Sequence, residues 1–252
     1  MNWLLLNSGK GDPAFNMALD EALLEATARL GQPVLRFYGW TEPAATFGYF
    51  QKYADVERAT PLRPLIRRPT GGGIVPHDAD WTYSLAFPPG HEWHSLKAEA
   101  SYRRVHEWIQ SAFARLKMET TLALSSKKPP ATIRSSRREE APSQFEKIPS
   151  LLTSAATGQC FAGCEKSDVL WHGKKIAGAA QRRNQLGLLI QGSVQPPPGA
   201  PSRADWQEAM GATGRQERKM EWLDFAPDER VCRRTAELVQ LKYSRMDYIR
   251  KR

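Results

Sequence analysis

Arg67-Arg68-Pro69-Thr70-Gly71-Gly72-Gly73-Ile74-Val75-Pro76-His77-Asp78 is the stretch from which the fold can be read outward. Three consecutive glycines cost chain entropy, so a position that keeps them calls for unusual dihedrals or a close backbone approach. Exposed N–H groups there can hold a carbonyl or phosphate oxygen, with Arg67 and Arg68 adding fixed charge. A tight turn flanked by solvated arginines would explain the same residues. Leu65–Arg67 reads as a short strand entering the glycines, and residues 82–87 as a strand after them. Val34–Tyr38 and Ala44–Phe47 read as strands separated by a Gly-Trp-Thr-Glu-Pro turn. Upstream, Asp12-Pro13 marks a helix start, an N-cap carboxylate followed by proline at the first helical position. Apolar residues from Phe15 to Leu30 follow at helical spacing, and Gly31 closes the element.

A second segment, Gly173-Lys174-Lys175-Ile176-Ala177-Gly178-Ala179-Ala180-Gln181, sets Lys175 inside an apolar run. An ammonium in a half-buried strand is costly unless paired. Lys175 can hold the carbonyl oxygen of a thioester and stabilise the charge that develops on attack, or it can snorkel at a strand end as Lys174 does. The turn His172-Gly173 between residues 167–171 and 175–181 predicts a β-hairpin, and residues 186–194 a further strand. Residues 96–117 are amphipathic and helical, and 120–124 a strand. Residues 125–148 are rich in Ser, Lys, Arg, Pro and Glu, which predicts a flexible loop. Helices are expected over 203–211 and roughly 228–243. Strands mixed with helices and two hairpin-like pairings give an α/β or α+β domain with a mixed sheet.

The chain has 252 residues and a formal net charge of +9, with a pI near 9.6, so its surface favours acidic partners. Three cysteines at spacings that form no disulfide framework point to a reducing cytosol. No apolar run approaches the roughly 20 residues of a membrane helix, and Met1–Ser8 reads as a first strand, so the expectation is a soluble cytoplasmic protein without membrane contact. Cys160 and Cys164 lack the further ligands a metal site needs, and no metal is expected. The basic run through Lys127, Lys128, Arg134, Arg137 and Arg138 could hold nucleic acid, but it lacks aromatic residues for stacking bases.

The two glycine segments, followed by Trp81-Thr-Tyr-Ser-Leu-Ala-Phe87 and preceded by Phe15-Asn-Met-Ala-Leu-Asp-Glu-Ala-Leu-Leu24, resemble the lipoate–protein ligase and octanoyltransferase superfamily. The resemblance covers most of residues 1–195. It implies a biotin/lipoate protein ligase-like mixed sheet flanked by helices, in one catalytic domain spanning 1–252 with a helical segment at 203–252. It also implies that Gly71, Gly72 and Gly73 line an acyl pocket, with Arg67, Arg68, His77, Asp78, Gly178, Ala179, Ala180 and Gln181 around the substrate and Lys175 catalytic. The family's Gly-Ser-Ala-Gln is Gly178-Ala-Ala-Gln181 here, one hydroxyl fewer. Cys160-Phe161 stands where one class of octanoyltransferase carries its nucleophile, so Cys160 is preferred to Cys164, while Cys232 reads as structural.

Two reactions follow from the resemblance. In one, an octanoyl group passes from acyl carrier protein through a Cys160 thioester to a lysine of a lipoyl-domain or glycine-cleavage-H-type acceptor, without cofactor. In the other, a ligase activates free lipoate with ATP and Mg²⁺. Cys160 favours transfer. A biotin ligase is also possible by fold, but the Arg67–Asp78 segment fits lipoyl chemistry better, and a monomer is expected.

Overall fold

The computed structural model describes residues 2–124 and 163–251. The expected loop at 125–148 and Cys160 lie outside the described residues. In chain order, the described elements are β1 (Asn2–Gly11), α1 (Pro13–Leu30), β2 (Val34–Trp40), β3 (Ala44–Phe47), α2 (Tyr53–Ala59), β4 (Leu65–Arg67), β5 (Val75–His77), β6 (Trp81–Phe87), α3 (Glu92–Ser95) and α4 (Ala98–Arg115). They continue with β7 (Thr121–Leu122), β8 (Val169–Trp171), β9 (Lys174–Asn184), β10 (Gly187–Val194), α5 (Arg203–Arg218), β11 (Glu221–Asp224), α6 (Glu229–Leu238) and α7 (Met246–Ile249). A π-helical turn, Val239–Tyr243, joins the last two.

Eight strands form one sheet in the order β11-β1-β2-β6-β10-β9-β8-β7. β1 runs parallel to both β2 and β11, and the other pairs are antiparallel, so the sheet is mixed as expected. Alternating side chains supply two separate cores. On one face Trp3, Leu35, Phe37, Tyr83 and Leu85 pack with Trp108 of α4 and Trp206 of α5. On the other, Leu4, Leu6, Val34 and Tyr38 meet α1, α6 and a second sheet of order β4-β3-β5. This small sheet carries the glycine loop.

Local signals hold where the sequence supplies them. The Asp12 side chain accepts from the Phe15 N–H at 2.9 Å, and Gly31 sits at φ 68°. His172 and Gly173, at φ 46° and 75°, turn β8 into β9. Other expectations change. Val34–Tyr38 and Ala44–Phe47 are not a hairpin: β2 belongs to the large sheet and β3 to the small one, where it pairs with β4 and β5. Arg36 is fully buried on the α1 face of β2 and bonded to Asp20, which ties β2 into the layered core. The helix from Arg203 runs to Arg218 instead of ending at 211. Gly214 continues it because a Cβ there would lie 2.6 Å from the Trp222 ring, so glycine serves packing rather than termination.

Candidate active site

The glycine loop arrives between β4 and β5, opposite β9. Gly72 has φ +88°, and a Cβ on it would stand 3.4 Å from the Ala180 Cβ and 3.2 Å from Arg68 Nη2. The loop therefore lies against β9 with no room for a side chain. Gly48 is tighter still, its missing Cβ falling 2.0 Å from the Gly72 carbonyl oxygen. Beside this junction opens a narrow cleft, bounded by Trp40, Val75, His77, Gly178, Ala180 and Gly192. Its mainly apolar walls and few polar groups suit an acyl chain.

Two buried carboxylates organise the polar groups around it. Asp20 accepts from Arg36 at 2.7 Å, Ser84 at 2.6 Å, Gln191 at 2.7 Å and Tyr38 at 3.0 Å. Gln191 in turn accepts from Thr70 Oγ1 at 2.8 Å, linking α1 to the segment before the glycines. Burial, followed by the Asp20 charge, pushes the Tyr38 hydroxyl far above its ordinary pKa, so Tyr38 stays a donor. Asp80 lies 2.9 Å from His77 Nδ1 and accepts from Ser193 at 2.7 Å. His77 Nε2 lies 2.8 Å from Thr46 Oγ1, which accepts from Arg68 at 2.9 Å. Arg68 also donates to the carbonyls of Gly71 and Gly73, at 2.7 and 2.8 Å. A single chain of hydrogen bonds, Arg68 to Thr46 to His77 to Asp80, thus shapes the loop and one cleft wall. The His77 ring stacks on Trp40, centroids 3.9 Å apart.

Lys175 is paired. Its Nζ lies 2.8 Å from Asp168 Oδ2, the two side chains being 4% and 0% exposed. Asp168 also accepts from the Glu165 N–H at 2.7 Å and from the Tyr102 hydroxyl of α4. Gly178 makes the arrangement possible: a Cβ there would lie 2.7 Å from Lys175 Cε and 3.0 Å from Nζ. The lysine therefore crosses a glycine that itself lines the cleft. Behind it sits His106, edge-on to Tyr102 at 4.2 Å, fully buried with neither ring nitrogen hydrogen-bonded. Burial, with Lys175 adding to it, lowers the His106 pKa to about 3, and the ring stays neutral.

The structure brings Arg68, His77, Gly178, Ala179 and Ala180 to the cleft, and Lys175 and Gly72 to its edge. Gln181 turns away, bonding the Ala98 carbonyl and Ser101. Asp78 is exposed, accepting from its neighbour Ala79 N–H. Arg67 is buried beneath the loop, donating to the carbonyls of Tyr49, Gln51, Tyr248 and Ile249. Cys164 is near the Lys175–Asp168 pair, but burial and the Asp168 charge raise its thiol pKa, a poor setting for a thiolate. Cys232 is exposed. Among the described residues no group of three or more His, Cys, Asp or Glu is placed to hold a metal ion, and no helix is long and apolar enough to cross a membrane. Asp168, Tyr102, His106, Asp20 and Gln191 escaped the sequence reading, because the contacts that bring them together are remote in sequence.

A mixed sheet with a glycine loop set against a lysine-bearing strand defines a class, and the lipoyl protein ligase A/B catalytic domain model matches residues 12–195: the chain belongs to that family. Curated relatives named octanoyltransferase LipM include those of Halalkalibacterium halodurans, 32% identical over 76% of this chain and 65% of the relative, and Kyrpidia tusciae, 35% identical over the same shares. The match thus spans just under two thirds of those relatives' length. Among solved structures, lipoate-protein ligase A bound with ATP gives a TM-score of 0.71 at 18% identity, covering 99% of each chain. A bi-partite lipoate protein ligase from Thermoplasma acidophilum gives 0.67 at 17%, covering 99% of this chain and 96% of that one. These two likenesses speak to the fold alone.

Proposed function

We propose that this chain is a cofactor-independent octanoyltransferase of protein lipoylation, a single catalytic domain that takes an octanoyl group from a carrier-protein thioester and delivers it to a lipoyl-domain lysine. The observation that carries the reading is the buried Lys175 ammonium, laid across Gly178 at the edge of an apolar cleft. The names of the relatives favour transfer over ligation. The octanoyl chain occupies the cleft, and its thioester carbonyl faces Lys175. The Cys160 thiolate attacks that carbonyl, its C–S bond forms as the carbonyl's bond to the donor sulfur breaks, and the donor leaves as a thiolate that takes up the proton Cys160 released. The acceptor lysine amine then attacks the acyl-Cys160 thioester, giving an amide and regenerating the cysteine. Lys175 stabilises the oxyanion in both halves, and a free nucleophilic thiol suits a reducing cytoplasm.

Intact mass after incubation with octanoyl-carrier protein, without ATP, tests this. The expected result is a gain of one octanoyl group that persists in Cys164→Ser and disappears in Cys160→Ser. Acceptor modification only with free lipoate, ATP and Mg²⁺ would replace the reading with the ligase one.

A further inference from the structure

Beyond the cleft, past the glycine loop, the surface holds a larger and very different groove of about 560 Å³. Gly71, Pro69 and Gln181 stand at its junction with the loop and β9. Four cations line it: Arg182 and Arg183 from β9, Lys242 from the π-helical turn and Lys251 after α7. Among the described residues that line it there is no carboxylate. Beneath it Glu21, 9% exposed, meets Arg182 at 3.1 Å and Lys242 at 2.5 Å. Burial alone would raise the Glu21 carboxyl, but Lys242 and its hydrogen bonds hold it below the ordinary value, so it is ionised. One carboxylate against four cations leaves the groove strongly positive.

The cations are also held in place. Arg183 donates to the Trp93 and His94 carbonyls, and to Ser101 at 3.1 Å. Lys242 Nζ stands 4.9 Å from the Tyr248 ring centroid, and Lys251 Nζ lies 5.8 Å from that of Tyr49. Prearranged charge of this kind lowers the ordering cost of binding an anion.

We propose that this groove binds the phosphodiester of the acyl donor's pantetheine arm, which then leads the thioester past Gly71 to the cleft. This inference rests on the octanoyl-transfer reading. The groove's volume of about 560 Å³ is that of a small-molecule site, with room for an extended arm. The arm's phosphate is its sole charge, and the groove sets its cations beside Tyr49, Pro69 and Tyr248, which give apolar surface for the rest of the arm. Phe50, 71% exposed on the same rim, supplies apolar surface beside the charge.

The test compares two donors that differ only in phosphate, octanoyl-phosphopantetheine and octanoyl-pantetheine, on the full chain without ATP. The expected result is that kcat/KM for the phosphorylated donor falls about fivefold in Lys251→Glu and again in Lys242→Gln. Its preference over the unphosphorylated donor should shrink with each change and with rising salt. Equal losses on both donors, or none on either, would overturn the groove assignment while leaving octanoyl transfer intact. Transfer from octanoyl-carrier protein but from neither small donor would likewise overturn the groove assignment, and no transfer from octanoyl-carrier protein either would remove the transferase reading and this inference with it.

Discussion

Lys175 and Asp168 bring opposite charges into almost fully dehydrated surroundings, and each is tolerable there because of the other. Removing one partner strands the other. Lys175→Ala is expected to cost about 3–5 kcal/mol of stability, and the Lys175→Ala/Asp168→Asn double variant to recover much of that loss. Thermal unfolding reads the recovery, while octanoyl transfer should be lost in both. His106 gives a pH-dependent counterpart. Its unfolded imidazole protonates near pH 6.5 and its folded one near 3, so between those values the unfolded chain binds more protons. The stability it contributes above pH 6.5 is lost as pH falls toward 3, by up to about 1.4 kcal/mol per unit. Denaturant midpoints at pH 7 and pH 5 should therefore differ less in His106→Leu than in the unmodified chain. A charge in an apolar run made Lys175 conspicuous in the sequence. Its partners were not, since Tyr102 lies on a helix 66 residues before Asp168 and nothing local links the two.

Elements meet at glycines in two physically different ways, and substitution separates them. At Gly178 a methyl group collides with the far end of a flexible lysine, which can swing aside. Gly178→Ala should lose less melting temperature than Lys175→Ala, since the lysine keeps its charge near Asp168, yet transfer octanoyl at least tenfold more slowly, because Lys175 is shifted. At Gly48 the collision is with the Gly72 backbone oxygen. Gly48→Ala is therefore expected to destabilise by about 1–3 kcal/mol as the loop is forced off β3, seen as a lower melting temperature. The turn at His172-Gly173 and the cap at Asp12 were legible because their chemistry is complete within four residues. The placement of β3 was not: adjacency in sequence suggested pairing with β2, whereas its parallel partner β4 arrives only after α2.

For the whole molecule, Arg67 acts as a staple between the glycine region and the end of the chain. Its guanidinium reaches carbonyls of Tyr49 and Gln51 on one side and Tyr248 and Ile249 on the other. A lysine cannot present that fork of donors. Arg67→Lys should lower the melting temperature by roughly 5–10 °C, the effect of losing about 2–3 kcal/mol in a domain of this size. Only the guanidinium's charge, not its structural use, could be read from the sequence, because its acceptors are backbone atoms, two of them in Tyr248 and Ile249 about 180 residues away. The layered mixed sheet was legible as a class, but the position of β11 was not, as Glu221–Asp224 is a short and largely exposed strand.

That position has a cost during synthesis. β1 is synthesised long before one of its two neighbours, β11, which starts at Glu221, opposite Asn2. At roughly 5–20 residues per second, the growing chain holds one edge of Asn-Trp-Leu-Leu-Leu without its native neighbour for roughly 10–45 s. An apolar strand edge left open for that long is a template for pairing with other chains. Slower translation lengthens the exposure, and a nascent-chain chaperone that covers residues 2–6 would shorten it.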